Sequence, residues 1–152
     1  MNKSRGYFGI GIQECKTYTN YGTLYRTANI LGASFLFLIG KRFHAQQSDT
    51  MNSWKHIPTY SYDVFDDFLK NMPVNSRLIG IEMNESAKLL ENFTHPERAV
   101  YLLGAEDFGL SQEAIDKCDS LICLRGIPSM NVSVAGSIVL YDRVVKLNRG
   151  VI

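Results

Sequence analysis

Long apolar runs are missing from this sequence of 152 residues, and so is any strong excess of charge. No apolar stretch approaches the roughly 18 residues that a membrane-spanning helix needs, so we expect no contact with a membrane. The first apolar run is short and interrupted by glycine, which is unlike a secretory signal peptide. The formal net charge of +1 gives no global basic field, although it leaves room for a local basic patch.

Cysteine is scarce as well. The three cysteines, Cys15, Cys118 and Cys123, form no CxxC pair. An odd and scattered set argues against a disulfide framework and fits a reducing compartment. We therefore predict a cytoplasmic protein.

Several common catalytic patterns are absent. The sequence contains no GxSxG, GxxxxGKS/T, HExxH or GxGxxG motif. Its histidines, His44, His56 and His95, do not show the spacing of metal ligands. We accordingly predict no metal site.

The sequence does contain apolar strands that alternate with amphipathic helices. Its 45% hydrophobic and 20% charged residues are typical of a globular protein, and we expect residues 1–152 to form one domain. Strands are predicted at 8–12, 34–40, 59–61, 77–82, 99–103 and 120–124. Helices are predicted from Asn20 to Gly32 and at 64–72, 87–93 and 111–118. A C-terminal helix follows, with an apolar face made of Val134, Ile138, Tyr141 and Val145.

This alternation predicts an α/β domain with a mainly parallel sheet and helices on both faces. In such sheets, ligands bind outside the carboxyl ends of the strands. Three stretches of the sequence are unusual, and two of them, 103–111 and 125–136, follow predicted strands directly. This places both at that edge of the sheet.

The first stretch, Asn20-Tyr-Gly-Thr-Leu-Tyr-Arg26-Thr-Ala, opens a predicted helix. Arg26 lies near the helix start, away from the apolar face formed by Leu24, Ala28 and Leu31. A guanidinium beside helix N-terminal amides suits a phosphate. A solvated surface arginine is the alternative interpretation.

The second stretch, Leu103-Gly-Ala-Glu-Asp-Phe-Gly-Leu-Ser111, has a glycine near each end. Gly104 and Gly109 permit tight turns and a close approach of backbone to a ligand. Between them, Glu106 and Asp107 are suited to a ribose hydroxyl or a cation, or simply favour the dipole of the next helix.

The third stretch, Arg125-Gly-Ile-Pro-Ser-Met-Asn131-Val-Ser-Val-Ala-Gly136, joins a predicted strand to the last helix. Asn131 is a helix-capping residue type that can also orient a ribose. Pro128 stiffens the loop before it.

Taken together, these stretches resemble motifs one, two and three of the SpoU/TrmH family, which are RNA ribose 2′-O-methyltransferases of the SPOUT superfamily. The motifs occur in the family's order and run from residue 20 to about residue 140. The third is shorter than in many members, since Ser129 follows Pro128 at once. The resemblance implies a C-terminal deep trefoil knot, S-adenosylmethionine as cofactor and a homodimer.

The resemblance also implies roles for individual residues. A reaction centre is implied at Arg26, Glu106, Ser129 and Asn131, with Asn20 supporting Arg26. Cofactor contacts are implied at Ile81, Leu103, Gly104, Ile127 and Met130. Because a guanidinium does not deprotonate in proteins, we predict that Arg26 anchors charge rather than acting as a base.

The expected activity is transfer of a methyl group to a ribose 2′-hydroxyl of RNA, with transfer RNA favoured over ribosomal RNA. A basic track made of two copies of Lys16, Arg26, Lys41 and Arg42 would meet that RNA. Two alternatives stay open at this point. One is a non-catalytic RNA-binding module with the same fold, and the other is a different nucleotide-binding α/β enzyme that uses Glu106 and Asp107.

Overall fold

Seven strands form a single sheet in the computed structural model, which describes residues 6–42 and 44–147. Every neighbouring pair is parallel, and the strands lie in the order β3-β2-β1-β6-β4-β7-β5. In chain order the strands are β1 (Tyr7–Gln13), β2 (Phe35–Ile39), β3 (Thr59–Tyr62), β4 (Arg77–Ile81), β5 (Lys88–Leu89), β6 (Arg98–Leu103) and β7 (Ser120–Cys123).

Helices cover both faces of this sheet. They are α1 (Tyr18–Ile30), α2 (Phe65–Asn71), α3 (Gln112–Lys117) and α4 (Val132–Lys146), with short 3₁₀ turns at Ser53–Lys55 and Leu90–Asn92. Helices α1 and α4 pack into one hydrophobic cluster, whereas α2 and α3 pack into the other. The predicted α/β class with a parallel sheet and helices on both faces is confirmed. The deep trefoil knot expected for the C-terminal segment stays a prediction.

The central strands are buried along their length. All five residues of β2, a run of Phe-Leu-Phe-Leu-Ile without alternation, are buried. A strand covered by helices on both faces has no side that meets solvent, which is why apolar residues do not alternate with polar ones in β2.

Within the described ranges, no helix combines the length and the apolarity needed to cross a bilayer.

Two predicted elements differ in the structure. Helix α1 begins at Tyr18, so Asn20 lies inside its first turn rather than before it. The segment 87–93, predicted as a helix, instead forms β5 and a 3₁₀ turn. Its backbone pairs with β7 at the edge of the sheet, and this pairing outweighs the weak helical pattern.

The apolar face predicted for the C-terminal helix faces solvent in the single chain. Its members are all at least 39% exposed: Val134, Ile138, Tyr141 and Val145. The opposite side packs inward with small and branched residues, including Ala135, Gly136 and Val139. Gly136 has no room for a Cβ because the Leu24 and Leu103 side chains lie against it, so α1 and α4 approach closely.

A buried chain of polar groups ties the end of α4 to the sheet. Arg143, which is 1% exposed, donates to the carbonyls of Pro96 and Glu97 at 2.6 and 2.8 Å. His95 Nδ1 lies 2.6 Å from the Tyr101 hydroxyl, and His95 Nε2 lies 2.9 Å from the Asp142 carboxylate. Burial lowers the pKa of His95 despite the nearby carboxylate, so the neutral ring accepts from the hydroxyl and donates to the carboxylate.

Candidate functional site

The carboxyl ends of four adjacent strands, β1, β6, β4 and β7, meet at one edge of the sheet. Leu103 pairs with Ile12 on one side and with Ile81 on the other, and Ile81 pairs in turn with Ile122. Because parallel strands all end at this edge, the segments that follow them converge there. The sheet order therefore brings together three stretches that are separated by many residues in sequence.

A cavity of about 340 Å³ opens between the second and third stretches. Its volume lies within the range of about 300–1,000 Å³ typical of small-molecule sites. Its walls are apolar strand ends together with loop residues of both stretches. The lining residues are Ile81, Glu82, Met83, Leu103, Gly104, Ala105, Glu106, Asp107, Phe108, Gly109, Cys123, Leu124, Arg125, Gly126, Ser129, Met130, Val132 and Ala135.

A hydrogen-bonded chain of three polar side chains joins all three stretches beside this cavity. Asn20 donates through Nδ2 to the Glu106 carboxylate. Asn131 donates through its own Nδ2 to Asn20 Oδ1 at 3.0 Å. A partly buried amide whose two ends both have partners holds a fixed orientation, so Asn20 sets Glu106 and Asn131 relative to each other.

Asn131 caps the last helix, which is one of the two roles that the sequence left open, and it also bonds Asn20. Its Oδ1 accepts from the backbone amides of Ser133 and Val134 at 2.9 and 3.3 Å, which caps α4. This cap leaves Nδ2 for Asn20. One side chain therefore fixes the start of the last helix and faces the site.

The second stretch is a small closed loop rather than a free strand end. Ala105 and Gly109 exchange two backbone hydrogen bonds, of 3.2 and 2.8 Å. Gly109 has a φ of +66°, in the left-handed region that favours glycine. A Cβ on Gly104 would meet the backbone of Gly109 and Leu110 at less than 3.0 Å, so the loop folds only with glycine there.

Glu82 fastens this closed loop to the neighbouring strand. Its carboxylate accepts from Leu110 N at 2.7 Å and from Met83 N at 2.9 Å. Sequence reasoning missed Glu82. The signal that would have found it is an acidic residue placed directly after a buried strand at the ligand edge. Arg125, which follows β7, also lines the cavity without a predicted role, and it pairs with Glu91 at 2.5 Å.

The segment after β1 adds a cation at the other side of the second stretch. Lys16 forms an ion pair with Asp107, and its backbone amide donates to Glu106 at 3.3 Å. The hydrogen bond that Lys16 donates to the Asp107 carboxylate raises the pKa of Lys16. Burial, followed by the charge of Glu106, raises the pKa of Cys15 to about 11, so its thiol stays protonated. Lys16 thus contacts two acidic residues, and the nearby carboxylates offset the positive charge of its side chain.

The structure gathers most of the predicted site residues and leaves some outside. Six of the ten line the cavity: Ile81, Leu103, Gly104, Glu106, Ser129 and Met130. Asn20 and Asn131 reach it through their hydrogen bonds. Ile127 is 96% exposed and is not among the lining residues. Arg26 lies on the exposed side of α1 and does not line the cavity of its own chain. The roles of all ten stay predictions.

Metal-ligating residues do not converge here. Over residues 6–42 and 44–147, no three His, Cys, Asp or Glu side chains are grouped so that they could hold a metal ion.

Comparisons with known proteins agree with this arrangement. The chain is 28% identical over 139 residues, or 84% of its length, to the tRNA (guanosine(18)-2′-O)-methyltransferase of Saccharomyces cerevisiae. It spans only 10% of that larger protein.

Two solved structures share the fold. The TrmH/SpoU tRNA modifying enzyme of A. aeolicus has a TM-score of 0.84 at 19% identity, over 97% of this chain and 78% of that one. An AdoMet-bound rRNA methyltransferase of Sinorhizobium meliloti also has a TM-score of 0.84, at 21% identity, over 97% of this chain and 59% of that one.

A family model matches residues 8–141, a span that contains all three converging stretches and the strands that place them. We conclude that the chain belongs to the SpoU rRNA Methylase family.

Proposed function

We propose that this protein transfers a methyl group from S-adenosylmethionine to a ribose 2′-hydroxyl of RNA, with transfer RNA as the favoured substrate class. The observation that carries this proposal is the chain from Asn131 through Asn20 to Glu106 at the mouth of a preformed cavity. Asn20 links Glu106 of the second stretch to Asn131 of the third, so the chain joins side chains of all three motifs beside one cavity. The relative from Saccharomyces cerevisiae, by its name a tRNA 2′-O-methyltransferase, supports the choice of RNA.

The cavity fits the proposed cofactor. Gly104 and Gly109 expose backbone groups to it without a Cβ, and Leu103, Ile81 and Met130 supply apolar walls. S-adenosylmethionine, when bound, supplies an activated methyl group on a positively charged sulfur. Glu82, Glu106 and Asp107 are among the lining residues, and their negative charge favours a cation nearby.

The residues of the chain have positioning and electrostatic tasks. Asn131 and Ser129 orient the acceptor ribose, while Asn20 holds Glu106 in place. Arg26 holds a neighbouring phosphate and stabilises the alkoxide that forms as the 2′-hydroxyl passes its proton to that phosphate or to water. Accurate placement of the acceptor supplies much of the rate. No metal is required in this scheme.

A homodimer completes the proposal. Arg26 is exposed on α1 and does not line the cavity of its own chain, and in this proposal it acts at the cavity of a second copy. The exposed apolar face of α4, formed by Val134, Ile138, Tyr141 and Val145, is a surface that such a pair would cover. Sedimentation velocity tests this directly: Tyr141→Glu should shift a dimer to monomer, and an unshifted species would exclude this face.

RNA affinity should depend on salt. Lys41 and Arg42 are charged residues of the segment after β2, and together with Arg26 they offer phosphate contacts. Each neutralised phosphate releases counterions, so the affinity for RNA should fall as salt rises. An affinity that does not change with salt would rule out this basic track. We place the protein in the cytoplasm, where its proposed substrate is processed.

The test is methyl transfer to RNA isolated from cells that lack this gene. Purified protein and labelled S-adenosylmethionine should place label in RNA as 2′-O-methyl nucleotides, and Asn131→Ala should lower the rate of labelling about 10- to 150-fold. Cofactor and RNA binding without transfer would favour the non-catalytic module. A preference for another nucleotide over S-adenosylmethionine would favour the other α/β enzyme.

A further inference from the structure

One aromatic ring at the cavity mouth has no partner within the described chain. Phe108 is 91% exposed, and it is the only aromatic side chain among the described residues that line the cavity. Single exposed apolar residues are ordinary on a protein surface. This one has apolar neighbours at the same opening, since Met83 and Met130 line the cavity and are 50% and 41% exposed.

The loop holds this ring at a defined place. Phe108 occupies the tip of the loop that Ala105 and Gly109 close with two backbone hydrogen bonds. Glu82 fixes one side of the loop through Leu110 N. The two residues before the ring are engaged as well, because Asn20 bonds Glu106 and Lys16 pairs with Asp107. The ring is therefore presented from a fastened loop.

The covalent structure of a nucleotide indicates which part of the RNA lies near Phe108. The base is attached to C1′, the carbon next to the one that carries the 2′-hydroxyl. The base therefore lies within a few ångströms of that hydroxyl. Glu106 and Phe108 belong to one closed loop and both line the cavity, so a base whose ribose meets Glu106 lies close to Phe108. Unpaired bases of RNA are commonly held by stacking on aromatic side chains.

We propose that Phe108 is the platform on which the base of the target nucleotide stacks, with Met83 and Met130 completing the apolar opening. This inference rests on the proposed function. Every base has a π-face, so the platform holds an unstacked nucleotide without selecting its identity. The choice of nucleotide then lies with other contacts.

The experiment compares three substitutions at one position. Phe108→Ala removes the ring, Phe108→Leu keeps an apolar side chain without a π-face, and Phe108→Tyr keeps the ring. Val74→Ala is the matched control, because Val74 is 79% exposed and belongs to no part of the site. For each protein, KM and kcat for transfer RNA from cells lacking the gene, the Kd of S-adenosylmethionine and the sedimentation coefficient are measured.

We expect Phe108→Ala and Phe108→Leu to raise KM for RNA by about 5- to 150-fold, the effect of losing one stacked base. Phe108→Tyr and Val74→Ala should keep the KM of the unchanged protein. The Kd of the cofactor and the oligomeric state should not change in any variant.

Three results would overturn the platform. They are an unchanged KM in Phe108→Ala, equal KM values for Phe108→Leu and Phe108→Tyr, and loss of the oligomer in Phe108→Ala. The last would place the ring in a contact between copies. If the unchanged protein methylates no RNA, the proposed function fails first, and the inference fails with it.

Discussion

Gly104→Ala should weaken cofactor binding about 100-fold although it adds only one methyl group. The added Cβ would lie under 3.0 Å from backbone atoms of Gly109 and Leu110, a separation that real Cβ atoms essentially never show. Backbone atoms cannot rotate away as a side-chain end can. The closed loop would have to open to admit the methyl group.

The cost follows from the bonds that close the loop. Opening it breaks the two hydrogen bonds between Ala105 and Gly109 and the 2.7 Å bond from Leu110 N to the Glu82 carboxylate. Two neutral bonds at about 1 kcal/mol each and one charged bond at about 1.5–3 kcal/mol give about 3.5–5 kcal/mol. If about 3 kcal/mol of this opposes binding, the Kd of S-adenosylmethionine rises about 100-fold.

Isothermal titration calorimetry with S-adenosylmethionine measures this effect. Val74→Ala is the control, because Val74 is 79% exposed and does not line the cavity. Its cofactor affinity should stay that of the unchanged protein. Wild-type affinity in Gly104→Ala would refute the argument, since the loop would then have another low-energy form.

Three further predictions concern the proposed catalytic residues and the buried polar chain. Arg26→Ala should leave cofactor affinity unchanged and abolish methyl transfer, because we propose that its guanidinium holds the RNA phosphate and the forming alkoxide rather than the cofactor; full activity would remove it from the mechanism. Asn20→Ala should lower kcat by about 10- to 150-fold, since a hydrogen bond to a charged group is worth about 1.5–3 kcal/mol. In the Asn20→Ala protein, the further substitution Asn131→Ala should lower kcat little more. If the losses of activation free energy from the two substitutions add up, the two amides act separately. The free energy of unfolding should decline as the pH falls below about 6.5, because burial lowers the pKa of His95 and the unfolded chain takes up the proton first. His95→Gln should flatten this decline in thermal melts, and equal slopes in both proteins would exclude His95 as the cause.

Sequence patterns predicted the strands and long helices because these elements depend on local periodicity. The unbroken apolar run at 35–39 could be interpreted as a doubly covered strand without knowing its neighbours. Where local periodicity was weak, the prediction was wrong: the segment 87–93 became a strand and a 3₁₀ turn once β7 offered it a pairing edge.

The same contrast holds for the site, where residues within motifs could be predicted and contacts between distant segments could not. Glu106 and Asn131 were recognisable from their motifs, but their link through Asn20 depends on α1 and α4 packing together over Gly136. Glu82 belongs to no recognised motif. Its function as a fastener of the second loop appears only when β4 and β6 lie side by side.

The amino-acid order alone determined the α/β class, the family resemblance and the residue types available for chemistry, because short-range patterns and motifs carry that information. Tertiary structure alone decided which side of α4 turns inward, which residues line the cavity and that Phe108 stands exposed at its mouth. These outcomes depend on steric fit and hydrogen bonding between segments far apart in the chain, and no local window of sequence contains both partners.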